Sequence, residues 1–304
     1  MPAAYNEHRI VMPLRRAAFL RLVLFLAGAA ASLMFAIAAG SAVIGVLGGA
    51  RPLVVIALIS ALASAGMLLV TTALRRVGGA GLAALGLPLD RRRLGELAAG
   101  FVITSTLFLA VAAVQSAMVG ATWQFTGLRG LLGALAELPL VLCLVLGEEL
   151  LFRGSALHSL RELAGDRWAI AITAVAFGAY HVIGSQNWAM GLAFQFLMPT
   201  LGGLLFAWAA VRSGGLALPI GLHLGGNWVQ ASVAVFTPQA IPGAAEATAG
   251  LWRIPIGASD VQVLMAPDLL PRLPLLTAFA VAAAITAYRL RWLPDAQLLA
   301  APKP

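Results

Sequence analysis

The sequence predicts an all-α fold, a polytopic integral membrane bundle of about eight transmembrane helices enclosing a polar intramembrane cavity. Composition is the first reason: 61% of the 304 residues are hydrophobic, only 11% are charged, and the mean hydropathy is +0.93. Soluble domains carry about 25% charged residues. The second reason is run length, because a spanning helix needs about 20 largely apolar residues. Eight runs qualify, at 18–46, 52–74, 97–119, 131–157, 168–184, 190–211, 214–236 and 273–292. The third reason is the placement of arginine. The formal charge is +8, and all 20 basic residues except Lys303 are arginine. With the N-terminus in the cytoplasm, sixteen fall on the inner side and only Arg51, Arg129, Arg253 and Arg272 on the outer side. That asymmetry is the one expected of an even number of spans with both termini cytoplasmic. The basic balance therefore orients the chain at anionic headgroups of a plasma (inner) membrane. It indicates no nucleic-acid partner.

The elements follow in order. The first run is too long for a secretory signal core of about 7–15 residues. Between the second and third runs, Leu85-Gly86-Leu87-Pro88-Leu89-Asp90 reads as a turn into a helix start capped by Asp90. The fourth run holds Cys143, the single cysteine, which excludes an intramolecular disulfide. The fifth is short and holds Thr173 and His181. Residues 237–272 are too polar to span and form an external loop. Residues 1–304 read as a single transmembrane domain.

Chemistry concentrates where hydrocarbon disfavours it. The fourth run leads straight into Glu148-Glu149-Leu150-Leu151-Phe152-Arg153. A carboxylate within a bilayer is costly and needs a partner or a task. Glu149 and Arg153 are four apart on one helix face and can pair. Glu148 points about 100° away from them and has no local cation. The fifth run carries His181 in Phe177-Gly178-Ala179-Tyr180-His181, and the seventh carries His223 and Asn227 on one face with Gly225 and Gly226 between them. At 1.5 Å per residue, these groups lie about 12–20 Å from the cytoplasmic ends of their helices. Three helices can therefore bring them to one depth. Two chemistries fit the set. Glu148 and His181 can hold a water that attacks a peptide carbonyl, with His223 and Asn227 donating to the oxyanion. Alternatively, Glu148, His181 and His223 can bind Zn²⁺ as a two-His, one-carboxylate site.

The ordered set Glu-Glu-x-x-x-Arg (148–153), Phe-x-x-x-His (177–181) and His-x-x-x-Asn (223–227) resembles the three motifs of the intramembrane CAAX-protease and bacteriocin-processing (CPBP) family, which includes the eukaryotic prenyl-protein endoprotease. The resemblance covers about residues 85–236, the expected catalytic core. It implies a CAAX-type intramembrane protease acting on a membrane-associated peptide or protein. It implies Glu148 as the acid that activates water, His181 as its helper, and His223 with Asn227 as the oxyanion site. Glu149 and Arg153 become a supporting pair. No cofactor is expected, with Zn²⁺ on Glu148, His181 and His223 as the alternative. Glu137, three turns before Glu148, receives no role, and His158 reads as a surface residue. Two competing classes are a non-catalytic scaffold or immunity protein of the same fold and a proton-coupled transporter using the buried acid and imidazoles.

Overall fold

A computed structural model describes residues 4–46, 48, 52–77, 82–87, 89–184, 192–238, 250–265 and 273–291. Helices occupy all eight predicted runs: α1 (Ala4–Val46), α2 (Pro52–Ala73), α3 (Arg91–Met118), α4 (Gly127–Arg153), α5 (Ser155–Gly184), α6 (Leu192–Ser213), α7 (Ala217–Trp228) and, after a short α8 (Ala258–Met265), α9 (Leu273–Arg291). Among the described residues, five stretches are long and apolar enough to cross a membrane, one of which, Gly127–Ile183, takes in both α4 and α5. The last helix contributes a shorter apolar stretch, Leu273–Tyr288.

The structure differs from the predicted boundaries in three places. The fourth run ends at Arg153, not Leu157, because Gly154 turns the backbone to φ −75, ψ −129. The fifth begins at Ser155 and is broken at Gly165, whose φ of 80 suits a residue without Cβ. The seventh does not run to 236. Its α-helix stops at Trp228, passes through a π-helical turn (Val229–Val233) and becomes strand β2 (Ala234–Pro238). The Val229, Val233, Val235 and Thr237 content favours an extended backbone, and Pro238 cannot continue a helix. At 1.5 Å per residue, α7 proper is only about 18 Å long.

β2 pairs in parallel with β3 (Trp252–Ile256), and β3 pairs antiparallel with the two-residue β1 (Gln124–Phe125), giving the order β1-β3-β2. Among its described residues, the 237–272 segment expected to be a loop thus contains a strand and a short helix. Thr126 Oγ1 donates to the Gly250 carbonyl at 2.8 Å, which fixes this small sheet over the start of α4. Glu137 is buried beneath it and accepts from Ser232 Oγ at 2.8 Å. Trp228 packs on Phe101 and donates from Nε1 to the Ala134 carbonyl at 2.8 Å.

α7 is seated by its neighbours more than by its own length. Its most extensive interface is with α3, and glycines make that contact close. A Cβ at Gly100 would lie 2.6 Å from Leu222 N, and one at Gly221 would lie 2.9 Å from the Leu97 carbonyl carbon. At the N-terminal end of α3, Asp90 caps the helix as expected, accepting from the Arg93 N–H at 2.9 Å. The Arg93 guanidinium donates to the Ser213 and Gly214 carbonyls at 3.0 and 2.9 Å, while Glu96 pairs with it at 2.8 Å. Leu216 N donates to Leu85 O at 2.8 Å, and Ala217 N donates to Gly86 O. These bonds set where α7 starts and so how deep His223 lies. Backbone cannot yield as a side-chain tip does, so Gly221→Ala is expected to cost about 1–3 kcal/mol. Gly95→Ala, where nothing stands within 4 Å, is expected to cost nothing. Thermal unfolding of the two variants in detergent checks this, and equal melting temperatures would refute the close-packing account.

Candidate active site

The site forms where α4, α5, α6 and α7 meet. Glu149 is fully buried, and its Oε1 accepts two hydrogen bonds, from Arg153 Nη1 at 3.1 Å and from His223 Nδ1 at 2.9 Å. The first is the i,i+4 pair read from the sequence; the second is brought by α7. Arg153 also donates from Nη2 to the Gly203 carbonyl at 3.2 Å and lies 4.3 Å from the Phe177 ring centroid. A buried ion pair is sustained only when further hydrogen bonds satisfy its groups. Here an imidazole, a carbonyl and an aromatic face supply part of those contacts, while Glu149 Oε2 and Arg153 Nε stay buried without a hydrogen-bond partner. A Cβ on Gly203 would stand 3.2 Å from Arg153 Nη2, so the carbonyl's approach depends on that glycine.

Glu148, with no cation on its own helix face, gains one partner from across the bundle. Its Oε2 stands 3.5 Å from His223 Nε2 and makes no hydrogen bond. His223 is therefore held between two carboxylates, one on each ring nitrogen. Phe206 stacks on the same ring at 4.7 Å with 19° between planes. His223 cannot turn without losing the Glu149 bond and the stack together.

His181 is fixed differently. Its Nδ1–H donates to the Phe177 carbonyl one turn back, at 2.8 Å, and the Phe177 ring packs against it at 4.5 Å. The structural role of a carbonyl-bonded core histidine is thus real, and it leaves Nε2 with a lone pair in the neutral ring. His181, His223 and Asn227 line one cavity of about 450 Å³. Its other polar lining is Gln195, Thr104 and Gln230; its apolar walls include Phe108, Phe206, Met198 and, from α9, Leu275 and Phe279. Glu148 lines a neighbouring cavity of about 230 Å³ between α1, α2 and α4. The structure thus joins His181, His223 and Asn227 in one space and links Glu148 to it through His223.

Gln230, Thr104 and Phe206 were not singled out from sequence. Gln230 had a readable signal, being three residues past Asn227 on the same helix face. Thr104 and Phe206 had none, since α3 and α6 reach the site only through tertiary packing. His158, read as a surface residue, is half-exposed and lies 3.1 Å from Glu162 Oε1.

The metal alternative fits this arrangement poorly. Among the described residues no group of three His, Cys, Asp or Glu side chains is placed to hold an ion. The Nδ1 bonds of His223 to Glu149 and of His181 to a carbonyl leave each Nε2 free, as in metal-bound imidazoles, but the donors are not gathered around one point. The metalloprotease reading has no support in these donors, and no step below passes through a metal.

Comparison with known proteins agrees with the motifs. No curated protein and no solved structure matches the chain. Residues 130–229 match the family model of Rce1-like proteins, described as type II CAAX prenyl endopeptidase. That range runs from the start of α4 to the π-helical turn and contains Glu148, Glu149, Arg153, His181, His223 and Asn227. The three motifs and the family model thus converge on residues 130–229, a third of the chain, which are similar to the CAAX-protease family.

Proposed function

We propose that this protein is an intramembrane endopeptidase that hydrolyses a peptide bond of a membrane-associated peptide or protein near the cytoplasmic side of the membrane. The observation that supports it most is His223 held rigidly between Glu148 and Glu149 at the edge of a cavity that also presents His181 and Asn227. Glu148 takes a proton from a water as the water oxygen bonds to the scissile carbonyl carbon. His181 accepts the water's other hydrogen at Nε2, as its Nδ1 bond to Phe177 allows. Asn227 donates from its amide to the oxyanion. His223 donates there too when its ring carries both protons, since Nδ1–H is already committed to Glu149. Two flanking carboxylates are the counter-ions for that form. The carbon–nitrogen bond then breaks, and Glu148 passes its proton to the leaving amine.

The test compares peptide termini in host membranes carrying the wild-type protein or Glu148→Gln at matched abundance. New termini present only with wild type are expected, including in membranes treated with a chelator. Identical termini, with both proteins correctly inserted, would move the reading to the scaffold class.

Orientation belongs to the same proposal. The arginine asymmetry supports cytoplasmic termini in the inner membrane. A reporter fused after Arg161 is expected in the cytoplasm and one near Gly250 outside. The reverse pattern would overturn the cytoplasmic placement of the site.

A further inference from the structure

A peptide that enters the cavity of His181, His223 and Asn227 brings main-chain N–H groups away from water, and each one left without an acceptor there is costly. Most of the wall cannot meet them. Phe108, Met198, Phe206 and Phe279 are apolar. The Thr104 hydroxyl is buried and donates to the Gly100 carbonyl at 3.0 Å. On the endopeptidase reading, His181 and Asn227 are committed to the water and the oxyanion. Two glutamines remain, Gln195 on α6 and Gln230 beyond the end of α7. Only Gln230 continues the line of the oxyanion donor.

Gln230 stands in the π-helical turn Val229–Val233, a backbone form that recurs at functional sites. It follows His223 by seven residues and Asn227 by three, and all three line the cavity. Its side chain is exposed, and Nε2 donates to the Gly226 carbonyl at 3.2 Å. That bond holds the amide in place. Among the described residues, its Oε1 accepts from no group. A rigidly held acceptor with two lone pairs thus lies about 4.5 Å further along the helix axis than Asn227.

Resting on the endopeptidase reading, we propose that Gln230 is a substrate-binding residue. Its Oε1 accepts a hydrogen bond from a main-chain N–H of an extended substrate, on the same edge as the scissile carbonyl. Extended backbone sends the N–H and C=O of one residue to one edge and those of the next residue to the other. With the scissile carbonyl on Asn227, two N–H groups share its edge nearby. One belongs to the residue that carries the carbonyl, the other to the residue two further on. The bond sets which carbonyl meets the water. The substrate is therefore an extended segment with a free N–H at the position that Gln230 contacts. Proline, which has no N–H, is excluded there.

The test starts from the peptide termini that appear only with wild-type protein. Proline is expected to be missing from one of the two positions across all cleaved sites. A synthetic peptide spanning one site is then made with an ester in place of one amide at a time, each exchange removing a single N–H. Cleavage is followed with the detergent-purified full chain. Wild type is expected to lose about tenfold in kcat/KM on the analogue lacking the contacted N–H, the usual effect of one hydrogen bond. Gln230→Leu is expected to lose the same factor on the parent peptide and no more on that analogue. Gln230→Glu, which keeps an acceptor oxygen, should recover most of the loss. Equal cleavage of the parent peptide by wild type and Gln230→Leu would overturn the proposal. So would a Gln230→Leu loss of one size on every analogue, because the residue would then act only through its bond to the Gly226 carbonyl. If Gln230→Leu does not fold, the wild-type series decides alone: tolerance of the ester at both positions rejects the hydrogen bond. Wild-type-only termini with any of these overturning results reject this contact and leave the endopeptidase reading intact. Termini that do not differ between wild type and Glu148→Gln reject that reading, and this contact with it.

Discussion

Glu148→Gln is expected to lower the rate of peptide hydrolysis by about 10²–10⁴-fold, the usual contribution of a positioned general base. The exchange keeps the side-chain shape and removes only the group that takes the proton. The fold should not suffer. Glu148 Oε2 is buried and makes no hydrogen bond, with His223 Nε2 3.5 Å away as its facing group, so neutralising it breaks no hydrogen bond and relieves the cost of a carboxylate in a low-dielectric site. The melting temperature is expected to stay level or rise while activity falls, which is the trade seen where a strained site serves catalysis. Glu148→Asp separates the two effects further. It retains the charge but withdraws it by one methylene, and a misplacement of that order costs about 10²-fold. Rates are measured on whichever substrate the terminal-peptide comparison names, and stability is measured by thermal unfolding. An active Glu148→Gln enzyme would remove this residue from the chemistry.

Arg153→Met carries the largest expected loss of stability. Among the described residues it leaves the fully buried Glu149 with His223 as its remaining hydrogen-bond donor and vacates the position over the Phe177 ring. Removing one partner of a buried pair costs about 3–5 kcal/mol, because the other charge remains without compensation. The double change Glu149→Gln with Arg153→Met removes both charges together. It is therefore expected to be more stable than Arg153→Met alone, although it takes away one more native side chain. Glu149→Gln by itself keeps an oxygen that can accept from His223 Nδ1, so the ring orientation should survive it. Unfolding of the four proteins as a mutant cycle gives the coupling energy directly. Additive costs would mean that Glu149 and Arg153 do not depend on each other.

Much of this was legible in the chain itself. The bilayer imposes long apolar runs, so helices and their approximate limits could be counted without knowing how they pack. Glutamate in such a run is conspicuous for the same reason, and four-residue spacing is enough to predict the Glu149–Arg153 contact because it lies within one helix. The strands around 234–238 and 252–256 were not legible. β3 exists by pairing with β1 and β2, segments that are distant in sequence. The shortened α7 was missed because hydropathy does not distinguish a buried strand from the end of a buried helix.

The division has one physical cause. Solvent and helix periodicity act locally, so the sequence alone determined a polytopic helical membrane protein, three motif-bearing helices and the acids, imidazoles and amide that can do hydrolysis. Which of these groups touch depends on distances between helices, and those follow from glycine-mediated approach and from bonds such as Arg93 to the Ser213 and Gly214 carbonyls. Only the tertiary structure placed His223 between Glu148 and Glu149, set His181 and Asn227 in one cavity, and gave Glu148 a second cavity of its own.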